Sequence, residues 1–241
     1  MTTKYLAGMA LLLAVQLFTP SSLAQETKIE FPDEGRPRTL KAEILNGRIT
    51  VRGYSGKEAI VQMSDSGPSS REPAFSITSQ NNVITISGGM RRSANLTIQV
   101  PVETALQLRC TNCNELRVEN VNGEIDVSTT NGAIRLMNVS GSILAYTLNQ
   151  SITAVVDQLD STKPSSFSSM NGTIDCTFPA DLKANVRLRT ENGRVHTDFD
   201  IRLTGGTVIR TDRGLAGSIG GTGGPDVHFK AFNGSIFLRK K

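Results

Sequence analysis

A step of nine residues constrains this chain more than any other feature. Asn122-Gly123-Glu124-Ile125-Asp126-Val127 is followed by Asn131-Gly132-Ala133-Ile134-Arg135-Leu136. Ser140-Gly141-Ser142-Ile143 and Asn149-Gln150-Ser151-Ile152 come next, so the first position recurs at 122, 131, 140 and 149. A fixed period marks stacked supersecondary units, each unable to bury its apolar face alone. Further copies follow at wider spacing: Asn171-Gly172-Thr173-Ile174, Asn192-Gly193-Arg194-Val195 and Asn233-Gly234-Ser235-Ile236. These steps are near multiples of the nine-residue unit, which predicts coils of roughly 18–22 residues with two strands each. The long interval from Asn192 to Asn233, with Arg213-Gly214 near its middle, reads as two full turns.

Local stereochemistry says why such a repeat coils. Asn-Gly accepts positive φ at little cost, so it bends or reverses the chain. In Gly-x-Ile-x-Val the two-residue strand period sends Ile and Val to one side and the x residues to the other. Ile125, Val127, Ile134, Leu136, Ile143, Ile152, Ile174, Val195 and Ile236 are therefore expected inside. Glu124, Asp126, Ala133, Arg135, Thr173, Asp175, Arg194 and His196 are expected outside. The fold class is all-β: a β-solenoid, parallel β-helix-like, of ~20-residue coils, preceded by short N-terminal strands and hairpins. A β-sandwich also repeats strands at such intervals; recurrence of one Asn-Gly-x-Ile string favours the solenoid.

Three segments follow in chain order. Residues 1–24 read as a signal peptide: Lys4, an apolar run from Tyr5 to Phe18, a break at Thr19-Pro20, and small Ser22 and Ala24 before the cleavage point. No later run is long enough to span a bilayer, so the mature chain is expected to be exported, to the periplasm, cell surface or medium. Residues 25–101 form an N-terminal strand region. There Leu40, Ala42 and Ile44, the pair Asn46-Gly47, then Ile49 and Val51 read as a hairpin. Phe75–Ile77 and Val83–Ile86 flank an Asn81-Asn82 turn, and 64–74 is a solvated loop. Residues 102–241 are the repeat proper; 25–241 is also readable as one continuous domain.

Composition narrows function. With 26 Lys+Arg against 22 Asp+Glu, charge is too mild and scattered to argue for nucleic acid. Three cysteines are present, Cys110, Cys113 and Cys176. In an exported chain Cys110 and Cys113 could bridge across a turn or stay free. A thioredoxin-type redox role needs a helix N-terminus to lower the thiol pKa, and strand-like flanks supply none. A zinc site would need a second ligand pair, for which Cys176 with His196 is poor. No metal or cofactor site is expected.

No catalytic residues emerge either. The stretch Gly214–Gly224 lacks the Lys-Ser/Thr ending of a P-loop, and Pro225 stands where a calcium repeat would place its Asp; it reads as a flexible loop. Outward acids Glu124, Asp126, Asp175, Asp198 and Asp200 would need to converge within about 5–9.5 Å to cleave a glycoside. They read instead as solvated charges. His196 and His228 lack a nucleophile elbow beside them. The sequons at Asn95, Asn138, Asn149, Asn171 and Asn233 read as by-products of the repeat.

The Val100-Pro101 strand ending, the ladder from Asn122 to Ala154, and the glycine-rich stretch followed by Phe232-Asn233-Gly234-Ser235-Ile236 resemble one family. It is the bacterial putative-adhesin β-strand-repeat family, related to head-GIN-type auto-transporter adhesins. The resemblance implies an exported or envelope protein with a β-solenoid fold, and carries no catalytic residues. Asn112-Cys113 and Asn149-Gln150 depart from the pattern, because the turn glycine is replaced.

The function expected is a non-enzymatic, adhesion-like or structural module whose partner is a protein or an envelope polysaccharide. A carbohydrate-active β-helix enzyme and a sensor partner of a membrane signalling protein are the alternatives. The facing assignment is directly testable. Ile134→Asp should abolish cooperative folding, whereas Arg135→Asp should shift the thermal midpoint by no more than a few degrees; equal effects would refute it.

Overall fold

Alternating Ile, Val and Leu favour extended backbone, and among the described residues every regular element is a strand. The structure, a computed structural model, describes residues 25–33, 35–65, 75–88, 93–202, 210–211 and 213–241. The expected leader over 1–24 lies outside these residues, as does most of the loop expected over 64–74. In chain order the strands are β1 (Gln25–Glu30), β2 (Arg38–Tyr54), β3 (Glu58–Asp65), β4 (Phe75–Gln80), β5 (Val83–Gly88), β6 (Ser93–Pro101) and β7 (Thr104–Glu119). The repeat supplies β8 (Ile125–Thr129), β9 (Ala133–Gly141), β10 (Ile143–Thr147), β11 (Ile152–Leu159), β12 (Ser165–Ser169) and β13 (Ile174–Phe178). β14 (Ala184–Thr190), β15 (Val195–Thr197), β16 (Arg210–Thr211), β17 (Gly214–Ile219), β18 (Asp226–Ala231) and β19 (Ile236–Lys240) complete the chain.

These strands form one sheet of mixed orientation, bent back on itself like a flattened barrel. It contains two ladders. The first runs β4, β5, the first half of β2, the first half of β7, β8, β10, β12, β18, β14, β17 and β16. The second runs β1, β3, β6, the second halves of β2 and β7, then β9, β11, β13, β19 and β15. β2 and β7 belong to both ladders, so each is a whole coil in one strand. Their pairing, from Arg38↔Thr104 to Arg52↔Glu119, carries both ladders past residue 101. Residues 25–101 and 102–241 therefore share one core.

The inner faces of the ladders meet. Ile125, Val127, Ile134, Leu136, Ile143, Ile152, Ile174 and Ile236 are buried, and Val195, on the outermost coil, is half-buried. Phe167 and Phe229 of the first ladder stack at 5.2 Å, and Phe178 of the second meets both edge-on. Each such side chain contributes about 1.5–3 kcal/mol relative to exposure. Arg135 is exposed and pairs with Glu115 at 3.1 Å, a contact worth about 0.2–1 kcal/mol.

Three sequence expectations change. Asn46-Gly47 does not close a hairpin: β2 continues through it, and its halves enter different ladders. Gly47 has φ 127° while Asn46 keeps negative φ, so the chain bends without reversing. The turn expected at Asn81-Asn82 is present, φ 50° and 61°, between antiparallel β4 and β5. Gly214–Ile219 is a strand, not a loop; the irregular part of that stretch is 220–225.

The third concerns coil order. The interval from Asn192 to Asn233 is not two further turns. β14 and β15 lie beyond β18 and β19, so the coil last in chain order sits between two earlier ones. The N-terminal end mirrors this, since β2 lies between the β5/β6 coil and β7. Antiparallel strands cover β5 and β6 at one end, through β4 and β3, and β14 at the other, through β17.

Candidate functional site

The bend between the ladders is where the repeat residues gather. Asn46, Asn112, Asn131, Asn149, Asn171, Asn233 and Asn192 form one column, each amide donating to its neighbour's carbonyl oxygen at 2.6–3.0 Å. The order of this column, with 233 between 171 and 192, is the order of the coils. Three sequon asparagines, 149, 171 and 233, are thus engaged at both ends of their side chains.

Beside it the glycines hold the coils close. A Cβ on Gly172 would lie 2.0 Å from the Gln150 carbonyl oxygen, and one on Gly234 would lie 2.1 Å from that of Gly172. Neither residue has positive φ. At Gly123, Gly132, Gly172, Gly193 and Gly234 the glycine is therefore needed for backbone approach and not for a left-handed turn, which corrects the expectation from sequence; Gly141 keeps a positive φ of 112°.

Under the bend runs a buried column of hydroxyls. Thr129 Oγ1 accepts from the Gly132 N–H at 3.0 Å, and Ser169 Oγ accepts from the Gly172 N–H at 2.9 Å. Thr147, Ser169 and Thr190 donate to the carbonyls of Gly132, Gln150 and Gly234. Cys110 stands at this level of β7, aligned with Thr129, and Cys113 aligns with Gly47. They are buried and joined as a disulfide, Cα atoms 5.9 Å apart. The bridge spans the three-residue step that a hydroxyl-to-amide hydrogen bond closes elsewhere. Cys176 is buried on β13, and desolvation, with the charge of Asp175 added, pushes its thiol well above the ordinary range.

Outside the bend an apolar stripe appears. The residue before each ladder asparagine is Leu45, Thr111, Thr130, Leu148, Met170, Phe232 or Glu191. Stack order makes Leu148, Met170 and Phe232 neighbours. Tyr146 and Leu144 extend the patch onto β10. Leu144, Tyr146, Met170 and Phe232 are 42–46% exposed. Next to it Ser128, a small side chain between Arg109 and Tyr146, leaves a depression of about 230 Å³ that Glu43, Thr111 and Thr130 also line. Arg109 is held there by the carboxylate and carbonyl of Asp126. Reading the repeats by Asn-Gly-x-Ile missed this stripe; the apolar residues before Asn149, Asn171 and Asn233 were its signal.

The opposite face is occupied with itself. Arg52 and Arg117 meet Glu119, and Arg117 and Arg135 meet Glu115. Burial alone would raise the Glu119 carboxyl, but hydrogen bonds and charge from Arg117 and Arg52 hold it below its ordinary value of 4.5. A lowered folded-state pKa means the stabilisation is present above that ordinary value and disappears as pH falls through the folded one.

The remaining candidates are scattered. Glu124 pairs with Lys163, Asp126 with Arg109, and Asp175 with Arg239. Asp126 lies on the first ladder and Asp175 on the second. Asp198 accepts the Lys240 N–H, and Asp200 is exposed. His196 stacks on Phe237 at 4.8 Å with Arg239 over the same ring; His228 is exposed on the first ladder. The turn at 220–225 borders a depression of about 300 Å³ whose one lining carboxylate is Asp226. Among the described residues no three His, Cys, Asp or Glu converge as metal ligands.

No family model matches the chain, and no curated protein matches it. Among solved structures, a putative cell adhesion protein from Clostridium sporogenes is 12% identical, covering 91% of this chain and 100% of its own, at a TM-score of 0.43. A putative adhesin from Bacteroides fragilis (12% identity, 92% and 99% covered, TM-score 0.35) and another from Parabacteroides merdae (12%, 89% and 95%, 0.36) are similar to the same extent. At these values the likeness is too loose to transfer a function.

The equivalence of bridge and hydroxyl can be tested. Cys110→Thr with Cys113→Gly should restore the hydroxyl-to-amide closure and fold with a thermal midpoint unmoved by reductant. Wild-type protein should lose several degrees in reductant, since a bridge closing so short a loop contributes about 2 kcal/mol. A double variant no more stable than the reduced wild type would show that the bridge does something else.

Proposed function

We propose that this chain is an exported, non-enzymatic β-solenoid that acts as an adhesion-like interaction module of the cell envelope. The two ladders of parallel strands, recurring every 18 to 22 residues in the middle of the chain, support the solenoid reading. The apolar leader sequence supports export, and a bridged cysteine pair is at home in an oxidising compartment. The observation that carries the interaction role is the stripe of exposed Leu144, Tyr146, Met170 and Phe232, with half-buried Leu148 among them, on one edge. Exposed large apolar side chains cost solubility without adding to the core, and the ladder beneath them holds their spacing. Their chemistry suits a protein partner that presents apolar side chains, with Arg109 and the hydroxyls around Ser128 supplying polar contacts at the rim.

The test uses the protein from residue 25 onward and an envelope fraction from cells that make it. Wild-type protein should be retained by the protein component of that fraction. Met170→Asp with Phe232→Asp should lose at least tenfold in retention, with a thermal midpoint within a few degrees of wild type. Equal retention of both, or no retention of either, would overturn the proposal. Retention that survives protease treatment of the fraction would point to polysaccharide instead.

A further inference from the structure

The coil of β18 and β19 fills a slot. On the first ladder β18 lies between β12 and β14, parallel to both; on the second, β19 lies between β13 and β15. The slot reads the incoming segment closely. Val227, Phe229, Ala231, Ile236 and Leu238 face inward and are buried. Asn233 joins the amide column between Asn171 and Asn192. Gly234 passes where a side chain would strike the Gly172 carbonyl, and Arg239 reaches Asp175 at 2.7 Å. All of these contacts join the coil to its two neighbours across the slot.

The segment leading into the coil is built unlike the rest. β17 stays on the outer side of β14, antiparallel to it, while β18 lies on the inner side. The turn between them, 220–225, crosses the start of β14. Gly220, Gly221 and Gly223 have φ of 68°, 106° and 95°, and a Cβ on Gly221 or Gly223 would meet nothing within 4 Å. The ends of the turn pack on the backbone of Leu182 and Lys183, through Gly220 and Gly224, so the free hinge is its middle, 221–223. Exchange of an identical element about such a hinge loop is a low-cost route to association.

We infer that the 226–241 coil is an exchangeable element, and that the partner it fits is a second copy of this chain. Seated in the second copy's slot, it makes the same backbone pairing, the same amide column and the same aromatic stack. At low concentration the intramolecular coil prevails, because its tether gives it a high effective concentration. At high concentration, or when the turn is shortened so that the coil cannot fold back, exchange links copies.

Single-cysteine variants test this in the full chain. Ser166 and His228 are register partners on the outward face of the first ladder. Ser166→Cys and His228→Cys, mixed, unfolded, refolded together at high concentration and oxidised, should give a mixed covalent dimer. Its yield should exceed at least tenfold that from Ser166→Cys mixed with Lys41→Cys, and deletion of Gly221–Gly223 should raise it further. Equal yields from the two mixtures would overturn the inference. So would a dimer that forms as readily when the variants are mixed without unfolding, since that requires only surface encounter.

Discussion

Where glycine follows the ladder asparagine, as at Gly132, Gly172 and Gly234, the backbone at the bend comes so close to the neighbouring coil that no side chain fits between them, and the rest of the molecule depends on that approach. Where Gly172 lies over the Gln150 carbonyl, a β-carbon would be 2.0 Å from oxygen. Such proximity keeps successive coils at strand spacing, about 4.8 Å, around a corner where regular sheet pairing is interrupted. The asparagine amides outside and the hydroxyls inside then satisfy the corner's polar groups. Each of these bonds contributes about 0.5–1.5 kcal/mol, and the exposed ones fall at the low end. A buried Ile or Phe contributes about 1.5–3 kcal/mol. Burial therefore supplies the stability, and the bend decides register, because an aliphatic core accepts several alignments where a ladder of amides accepts one.

Both ends of the stack use the same device. A parallel sheet that ended bare would offer unpaired strand edges to other chains. Here antiparallel strands cover both ladders at one end and the first ladder at the other, and the coils next inward come from near the two extremes of the described chain. This closes the core over Leu40 and Ile49 at one end and over Phe229 and Leu238 at the other. The outer surface divides in consequence. One face neutralises its charges in a network of Arg52, Glu115, Arg117, Glu119 and Arg135, and the bend edge leaves apolar side chains uncovered. That division is the basis of the proposed interaction role.

Much of this was legible in the chain, for a physical reason. The side-chain period of a strand is two, so the inward set from Ile125 to Ile236 follows from alternation alone. The place of the bends was legible as well, from the recurring Asn-Gly. Their cause was not, since positive φ and close approach both select glycine, and only the packing at Gly132 or Gly172 separates them. Asn46-Gly47 shows the same ambiguity: the pair that closes a tight hairpin elsewhere here bends a continuous strand. Coil order was beyond reach, because Asn171 is separated from Asn192 and Asn233 by similar sequence patterns and which becomes its neighbour is settled by non-local pairing. The apolar stripe was hidden for that reason, as Met170 and Phe232 become neighbours only through the inserted coil.

The coil order can be measured directly by paired cysteines on the outward face of the first ladder. Ser168 and Lys230 are register partners, and Lys230 is in turn the partner of Arg189. Ser168→Cys with Lys230→Cys in one chain should cross-link nearly completely within the monomer on mild oxidation. Ser168→Cys with Arg189→Cys should not, because two strand spacings, about 9.6 Å, exceed the reach of a disulfide. Efficient cross-linking of the second pair and failure of the first would mean that the coils stack in chain order, contradicting the inserted coil and everything that follows from it.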